Sequence, residues 1–399
     1  MPRSADRDEP HRLGALGPRV VRVAGGIGIA ALLASVVLGS LQPDGIERLS
    51  RTYLVSFSYV LSLALGALFF VILQHLTRSG WSVVLRRLAE TFAATLCWLA
   101  ILFIPVALSV RSLYGWTQPA ADDALLAWKQ PYLNLPFFYV RAAVYLVLWA
   151  ALARFFHSRS TRQDGSGEPA LTLSMERWSA PAMILYAFSV TFAAFDWFMS
   201  TDAHWFSTIY GVYYFAGSVM GFLALMALAA IALRRAGRLT RSITIDHYHD
   251  VGKLLFGFMC FWAYIAFSQY MLIWYANIPE ETAWLVVRQS GPWGSLVIVL
   301  SVGHFVLPFF GLMSRSAKRR TTVLGLWAAW LLVMHWVDLY WLLMPRWSGE
   351  HIPFGVIDVT CLIGLVGVFI AAAARVAARH PLLCVGDPRL AESIALENA

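Results

Sequence analysis

The chain has 399 residues, 59% of them hydrophobic and only 14% charged, with a net charge of +8, whereas soluble domains carry about 25% charged residues. With a mean hydropathy of +0.63, this composition excludes a disordered or nucleic-acid-binding chain. The apolar residues come in repeated helix-length runs, which argues against one large water-soluble core and predicts a polytopic, all-α membrane protein.

Residues 1–21 are polar and basic, and no cleavage site follows the first apolar run. The expectation is a cytoplasmic N-terminal tail leading into a retained helix rather than a signal peptide. A hydrocarbon layer about 30 Å thick takes roughly 20 apolar residues per helix. Ten such runs are present, at about 22–40, 53–77, 88–110, 136–155, 178–199, 208–233, 252–276, 291–314, 321–344 and 353–374. They define a membrane domain over 22–374 and a C-terminal tail over 375–399. Nothing alternates at the length a β-barrel strand needs. The chain contains 17 Trp, 15 Tyr and 25 Phe, many where runs end, as an aromatic belt at two membrane interfaces requires.

Basic residues test the count. Under strict alternation, 24 of the 31 Lys and Arg fall on the side of the two termini and 6 on the other, with Arg141 inside the fourth run. That is the positive-inside pattern of ten spans with both ends cytoplasmic. The opposite side carries more acids than bases. Its longest connection, 111–135, can cap the bundle or dock a neighbour. On the basic side, 156–170 contains Ser158, Ser160, Gly165, Gly167 and Pro169. It is expected to be a flexible link, and a seam between two groups of spans.

Ionisable groups within spans are costly and mark function or internal pairing. In the third span Glu90 shares a helix face with Arg86. It reads either as an interfacial ion pair or as a carboxylate at the mouth of a cytoplasmic proton path. Arg141, in the fourth span, either snorkels or neutralises a carboxylate, for which Asp196 at the end of the fifth span is the natural type of partner. The densest cluster runs from Asp196 to Thr208. Trp197 and Trp205 suit an interface, Ser207 or Thr208 can cap the next helix, and Asp202 and His204 can exchange protons near neutral pH.

Further along, Gly211, Gly217 and Gly221 mark either close packing or mobility in the sixth span. Ser268, Gln269 and Tyr270 stand in the seventh span and His304 in the eighth. His335 and Asp338, three residues apart in the ninth span, share a face, so that Asp338 can orient the imidazole. Asp358 enters the tenth span. These groups suit a water-supported proton relay or helix–helix contacts. His304 and His335 differ in depth by roughly 8 Å at a rise of about 1.5 Å per residue, weak support for a bis-histidine haem. Cys97, Cys260, Cys361 and Cys384 have no short ligand spacing, so no metal site within the chain is expected. Phosphate-loop, zinc-protease and hydrolase-elbow motifs are absent.

The stretches Asp196-Trp197-Phe198-Met199-Ser200 and His204-Trp205-Phe206-Ser207-Thr208, followed by Ile209-Tyr210-Gly211, carry a resemblance. The chain resembles the NrfD/PsrC-like membrane subunits of alternative complex III, a bacterial quinol oxidoreductase, and in length the smaller, second (ActF-type) subunit. The resemblance implies two four-helix bundles, spans 2–5 and 6–9, with spans 1 and 10 outside, in the bacterial inner membrane. It implies partners: a larger NrfD-like membrane subunit, an iron–sulfur subunit, c-type haem subunits and a terminal oxidase, with lipid around them. Haem and iron–sulfur clusters would then belong to those partners. This chain would contribute quinone association or proton movement, without covalently bound cofactors and without catalysis of its own. Asp196, Asp202 and His204 would surround an outer opening, His335 and Asp338 would extend it inward, and Glu90 would serve a cytoplasmic opening. An ion-coupled transporter and a purely structural subunit are the alternative readings.

Overall fold

A computed structural model describes residues 11–398. The first ten residues of the expected N-terminal tail, with Arg3 and Arg7, and Ala399 at the other end lie outside the described residues. The described residues form helices and turns without strands, and ten helices are long and apolar enough to cross a membrane. The chain is a polytopic, all-α membrane protein.

The spans are Leu16–Ser40, Gly45–Leu76, Val83–Leu108, Leu135–Ser166, Pro169–Thr201, Tyr210–Arg235, Ile245–Ala276, Gly291–Met313, Thr321–Leu343 and Val356–Ala377, here numbered 1 to 10. All ten expected runs coincide with a helix. The differences lie at polar ends, where helical turns continue past the apolar run: span 1 starts at Leu16 rather than 22, and spans 2, 4 and 7 each reach 32 residues. A helix of that length is about 48 Å long, more than hydrocarbon alone requires.

The expected flexible link at 156–170 is helix instead. Span 4 runs to Ser166, Gly167 turns the chain at φ 63°, and Pro169 starts span 5. Gln163 clamps the turn by donating to the Glu168 carbonyl (3.0 Å) and to Thr172 Oγ1 (2.7 Å). Composition misleads here because the small polar residues lie on a helix whose Ser160 and Gln163 are buried. Nor is this turn a seam, since it joins two neighbours of one group.

Spans 2–5 close one four-helix group and spans 6–9 another, while spans 1 and 10 pair with each other and lean on span 2. Ser35 and Thr360 join the outlying pair by a hydrogen bond of 2.8 Å. Spans 2 and 6 meet at the middle. There a Cβ on Gly66 would lie 2.2 Å from the Ser218 carbonyl oxygen, so only glycine permits this approach. Across the same contact Tyr214 donates to the Ser58 carbonyl (2.7 Å), and from span 5 Tyr186 donates to that of Leu65 (3.1 Å).

The 111–134 connection folds over one end of the first group. Tyr114 donates to the Trp197 carbonyl, Trp116 to Ser200 Oγ and Lys129 to the Ala203 carbonyl. Span 6 starts without a side-chain cap, so neither Ser207 nor Thr208 plays the expected part. Trp197 is fully buried between Phe103 and Trp149, and Trp205 stacks on Trp284 with centroids 4.2 Å apart. These two indoles are core residues, not interfacial ones, because the connecting loops cover them. At the other end, residues 379–398 do not hang free as a tail. Asp387 pairs with Arg86, Arg389 with Glu176, and Asn398 donates to Asp250, so the segment straps the ends of both groups.

Candidate functional site

The nine residues singled out in the sequence sort into five places. Arg141 and Asp196 do meet. The guanidinium grips the carboxylate with two bonds, Nε to Oδ2 at 2.7 Å and Nη2 to Oδ1 at 3.0 Å. Tyr145 donates a third, at 2.8 Å. The cation lies over the rings of Tyr132 and Phe137 at 3.9 and 4.2 Å and donates to the Tyr132 carbonyl. Bidentate geometry and ring stacking are what a buried ion pair needs to offset desolvation. Both carboxylate oxygens are engaged, and Asp196 is 1% exposed.

Glu90 forms the ion pair with Arg86 that one of its two readings has, joined by Arg87, and is closed off from solvent. Its side chain is fully buried, 3.0 Å from Arg87 Nε and 3.6 Å from Arg86 Nε. Arg87 also bonds Asp164 (2.7 Å) and Ser160 (3.0 Å), and Arg86 bonds Asp387. The C-terminal strap shuts this network off, bringing Cys384 within 3.6 Å of Ser160. Burial raises the Cys384 thiol pKa above its ordinary value, which keeps it protonated and unreactive. The parts of Asp164 and Asp387 are not legible in the sequence, because the first lies at a helix end and the second in a segment that reads as a tail.

Asp202 and His204 part company. His204 Nε2 lies 2.7 Å from Asp123 Oδ2 on the covering loop, while Asp202 faces Arg346 at 4.0 Å. The bond from the Leu126 backbone N–H, and then His204, lower the Asp123 pKa. Asp358 pairs with Arg48, accepts from Thr52 Oγ1 at 2.9 Å and accepts from the Gly355 N–H at 2.9 Å. It fastens span 10 to span 2.

The remaining residues converge in the second group. Asp338 is buried, with Oδ1 accepting from Tyr213 OH at 2.5 Å and Oδ2 from Trp262 Nε1 at 3.1 Å. Among the described residues no Lys, Arg or His pairs with it. His335, one turn earlier, does not bond Asp338 as expected. A separation of three residues turns the two side chains about 60° apart on the helix, sending His335 toward spans 2 and 6 and Asp338 toward spans 6 and 7. His335 Nε2 lies 2.8 Å from Ser62 Oγ, and its Nδ1 has no partner.

The imidazole fits there because of two glycines. A Cβ on Gly217 would come within 2.8 Å of His335 Cε1, and one on Gly221 within 2.9 Å of Cδ2. The Gly-x-x-x-Gly spacing is therefore a slot for a histidine, a signal present in the sequence but without an indicated partner. His304 stacks on Trp262 at 3.8 Å, and neither of its ring nitrogens has a hydrogen-bond partner. It stands in a π-helical turn, Leu300–Val306, directly before Pro308, whose missing N–H loosens the backbone ladder. Trp262 thus bridges Asp338 and His304 (one through its N–H, the other through its face).

Beside this cluster a cavity of about 670 Å³ opens between spans 7 and 8. Tyr213, Trp262, Gln269, Ser301, Phe305 and Trp341 line it. The Pro279–Gln289 helix roofs it, held by Arg288, which donates to the Leu342 carbonyl at 2.7 Å and lies 3.7 Å over the Trp284 ring. Arg288 is buried without a carboxylate partner, and burial lowers its pKa to about 9. Among the described residues no group of three or more His, Cys, Asp and Glu side chains is placed to hold a metal ion. Comparison with protein-family models and with curated proteins returns no match.

Proposed function

We propose that this chain is a non-haem integral subunit of a bacterial respiratory quinol:electron-acceptor oxidoreductase, of the NrfD-like kind, and that its part is proton movement coupled to quinone chemistry. In this reading it lies in the inner membrane with both ends cytoplasmic. A larger NrfD-like membrane subunit, an iron–sulfur subunit, c-type haem subunits and a terminal oxidase supply the redox centres. The observation that carries the reading is the Asp338 cluster. A carboxyl buried in a membrane domain without a counter-cation is stable as the neutral acid and costly as the anion. Around it, three imidazole nitrogens of His304 and His335 lack partners, and such polar atoms call for internal water.

The elementary event is a proton exchange at one carboxyl. Asp338 Oδ1 and Oδ2 hold their donors Tyr213 and Trp262 whether or not the acid is charged, so the site keeps its shape as it gains or loses a proton. His335, in its glycine slot against Ser62, connects the cluster to span 2 of the first group. The fully paired clusters at Asp196, Glu90 and Asp358 serve as framework.

The test is purification of the native assembly through a tag on this chain. Co-purification with haem and iron–sulfur proteins is expected, as is quinol-driven acidification or alkalinisation of vesicles. Asp338→Asn should leave assembly intact and remove the proton signal. A chain that purifies alone and shows solute-dependent transport in vesicles would replace this reading with an ion-coupled transporter. An Asp338→Asn assembly with unchanged proton coupling would leave only a structural subunit.

A further inference from the structure

The cavity between spans 7 and 8 has two kinds of wall. Its mouth is rimmed by Tyr264, Phe267, Tyr270 and Val306, all substantially exposed on the face that the spans turn toward lipid. Its interior is aromatic and closes on Tyr213 and Trp262, the two donors to Asp338. The volume, about 670 Å³, falls in the range of about 300–1,000 Å³ typical of small-molecule sites. One polar group on this wall is unused. Gln269 is 5% exposed, makes no hydrogen bond, and its Oε1 is sealed from solvent without a partner. A buried, orphaned amide oxygen is destabilising, and a bound hydrogen-bonding group removes that penalty.

We infer that this cavity is a lateral binding site for a membrane-dissolved isoprenoid quinone or quinol, with the ring held among the indoles and Gln269 bonding a ring oxygen. The inference rests on the quinone-linked function proposed above and gives it a place. A carboxamide suits both redox forms: its N–H₂ donates to a quinone carbonyl, and its oxygen accepts from a quinol hydroxyl. The indoles of Trp262 and Trp341 suit a planar ring better than a flexible chain. The lipid-facing mouth lets the isoprenoid tail remain in the bilayer. A phospholipid acyl chain fills the same space but leaves Gln269 unsatisfied, so the amide distinguishes the two occupants.

The experiment uses the full chain in phosphatidylglycerol nanodiscs and a photoreactive azidoquinone carrying a short isoprenoid tail, with labelled peptides mapped by mass spectrometry. Label is expected on 262–273 and 297–306, displaced by unlabelled menaquinone or ubiquinone and insensitive to added phosphatidylglycerol. Gln269→Leu should reduce labelling at this site by about tenfold, the worth of one hydrogen bond in a dry site. Ala266→Trp, which fills the cavity from span 7, should abolish it. Label elsewhere, equal displacement by phospholipid, or unchanged labelling in Gln269→Leu would overturn the site. The assay needs no redox partner. Failure here beside intact co-purification and an Asp338→Asn effect removes the site alone, whereas labelling without those partners removes the subunit reading alone.

Discussion

The two helix groups both bury ionisable side chains and use them in different ways. In the first, each buried carboxylate has a guanidinium beside it: Asp196 has Arg141, and Glu90, Asp164 and Asp387 share Arg86 and Arg87. In the second, Asp338 has only neutral donors, and His304 and His335 keep unpartnered nitrogens. A saturated network resists any change of charge, because each proton gained or lost breaks several bonds at once. An unsaturated one tolerates it. On the function proposed above, the first group does structural work and the second the charge-changing work.

The largest effect expected from this contrast is on stability, in the first group. Arg141→Leu leaves Asp196 buried beside Tyr145 with no cation, a situation that costs about 3–5 kcal/mol. The measurement is thermal inactivation or detergent-resistant fold of the purified chain. Arg141→Leu combined with Asp196→Leu should recover much of the loss, since two apolar residues replace the pair without stranding a charge. If the single variant were as stable as wild type, the saturated pair would not be structural and the contrast would collapse.

Next in size is the histidine slot. Gly217→Val places methyl groups where His335 Cε1 stands, a Cβ alone already coming within 2.8 Å, and overpacking of this kind costs about 1–3 kcal/mol. A double variant with His335→Ala should tolerate the valine better, because the ring that obstructs it is gone. Thermal shift of the four proteins in the cycle reads the coupling directly. Equal loss in both backgrounds would mean that Gly217 serves helix packing in general and not the imidazole.

This slot also marks the limit of what is legible in the sequence. The ten spans are readable because hydrocarbon thickness fixes run length and because basic residues alternate by side. The Arg141–Asp196 pair is readable because charge, depth and residue type all agree. The Gly217/Gly221 spacing says that something approaches span 6 closely without saying what. The partners of Asp338 are invisible for a plainer reason, since Tyr213 and Trp262 are two aromatics among many and only packing aims them. The closure of Glu90 by Asp387 and Cys384 is hidden because a strap over helix ends has no periodicity to recognise.

A smaller effect on stability, with a large one on function, is expected at Asp338. Asp338→Asn keeps the shape, removes the capacity to ionise, and exchanges one of the two oxygens that accept from Tyr213 and Trp262 for an N–H₂ donor. Its amide nitrogen faces a donor, which limits the loss to about 1–3 kcal/mol or less. Proton coupling in the native assembly should disappear while the assembly persists. A destabilisation as large as that of Arg141→Leu would sharpen the comparison against us, since it would show Asp338 to be ionised and paired in the working state.

The smallest effect is expected where charges meet water. His204 and Asp123 join the covering loop to the chain between spans 5 and 6, and the His204 side chain is 51% exposed. Exposed pairs of this kind contribute little, so the pair sets the floor against which the buried clusters are judged. Its pH dependence has a definite sign. The Asp123 carboxyl is held below its ordinary value, first by the Leu126 N–H and then, against an opposing burial effect, by His204. Its contribution is therefore present above the usual carboxylate range near pH 4 and is lost as pH falls through the lowered value. Limited proteolysis of the 111–134 connection should be unchanged from neutral pH down to that range and increase below it. Asp123→Ala should remove that step and leave the thermal stability of the helix groups as it was. A large loss of stability in Asp123→Ala would instead place the loop within the framework and make the covering connection a third saturated cluster.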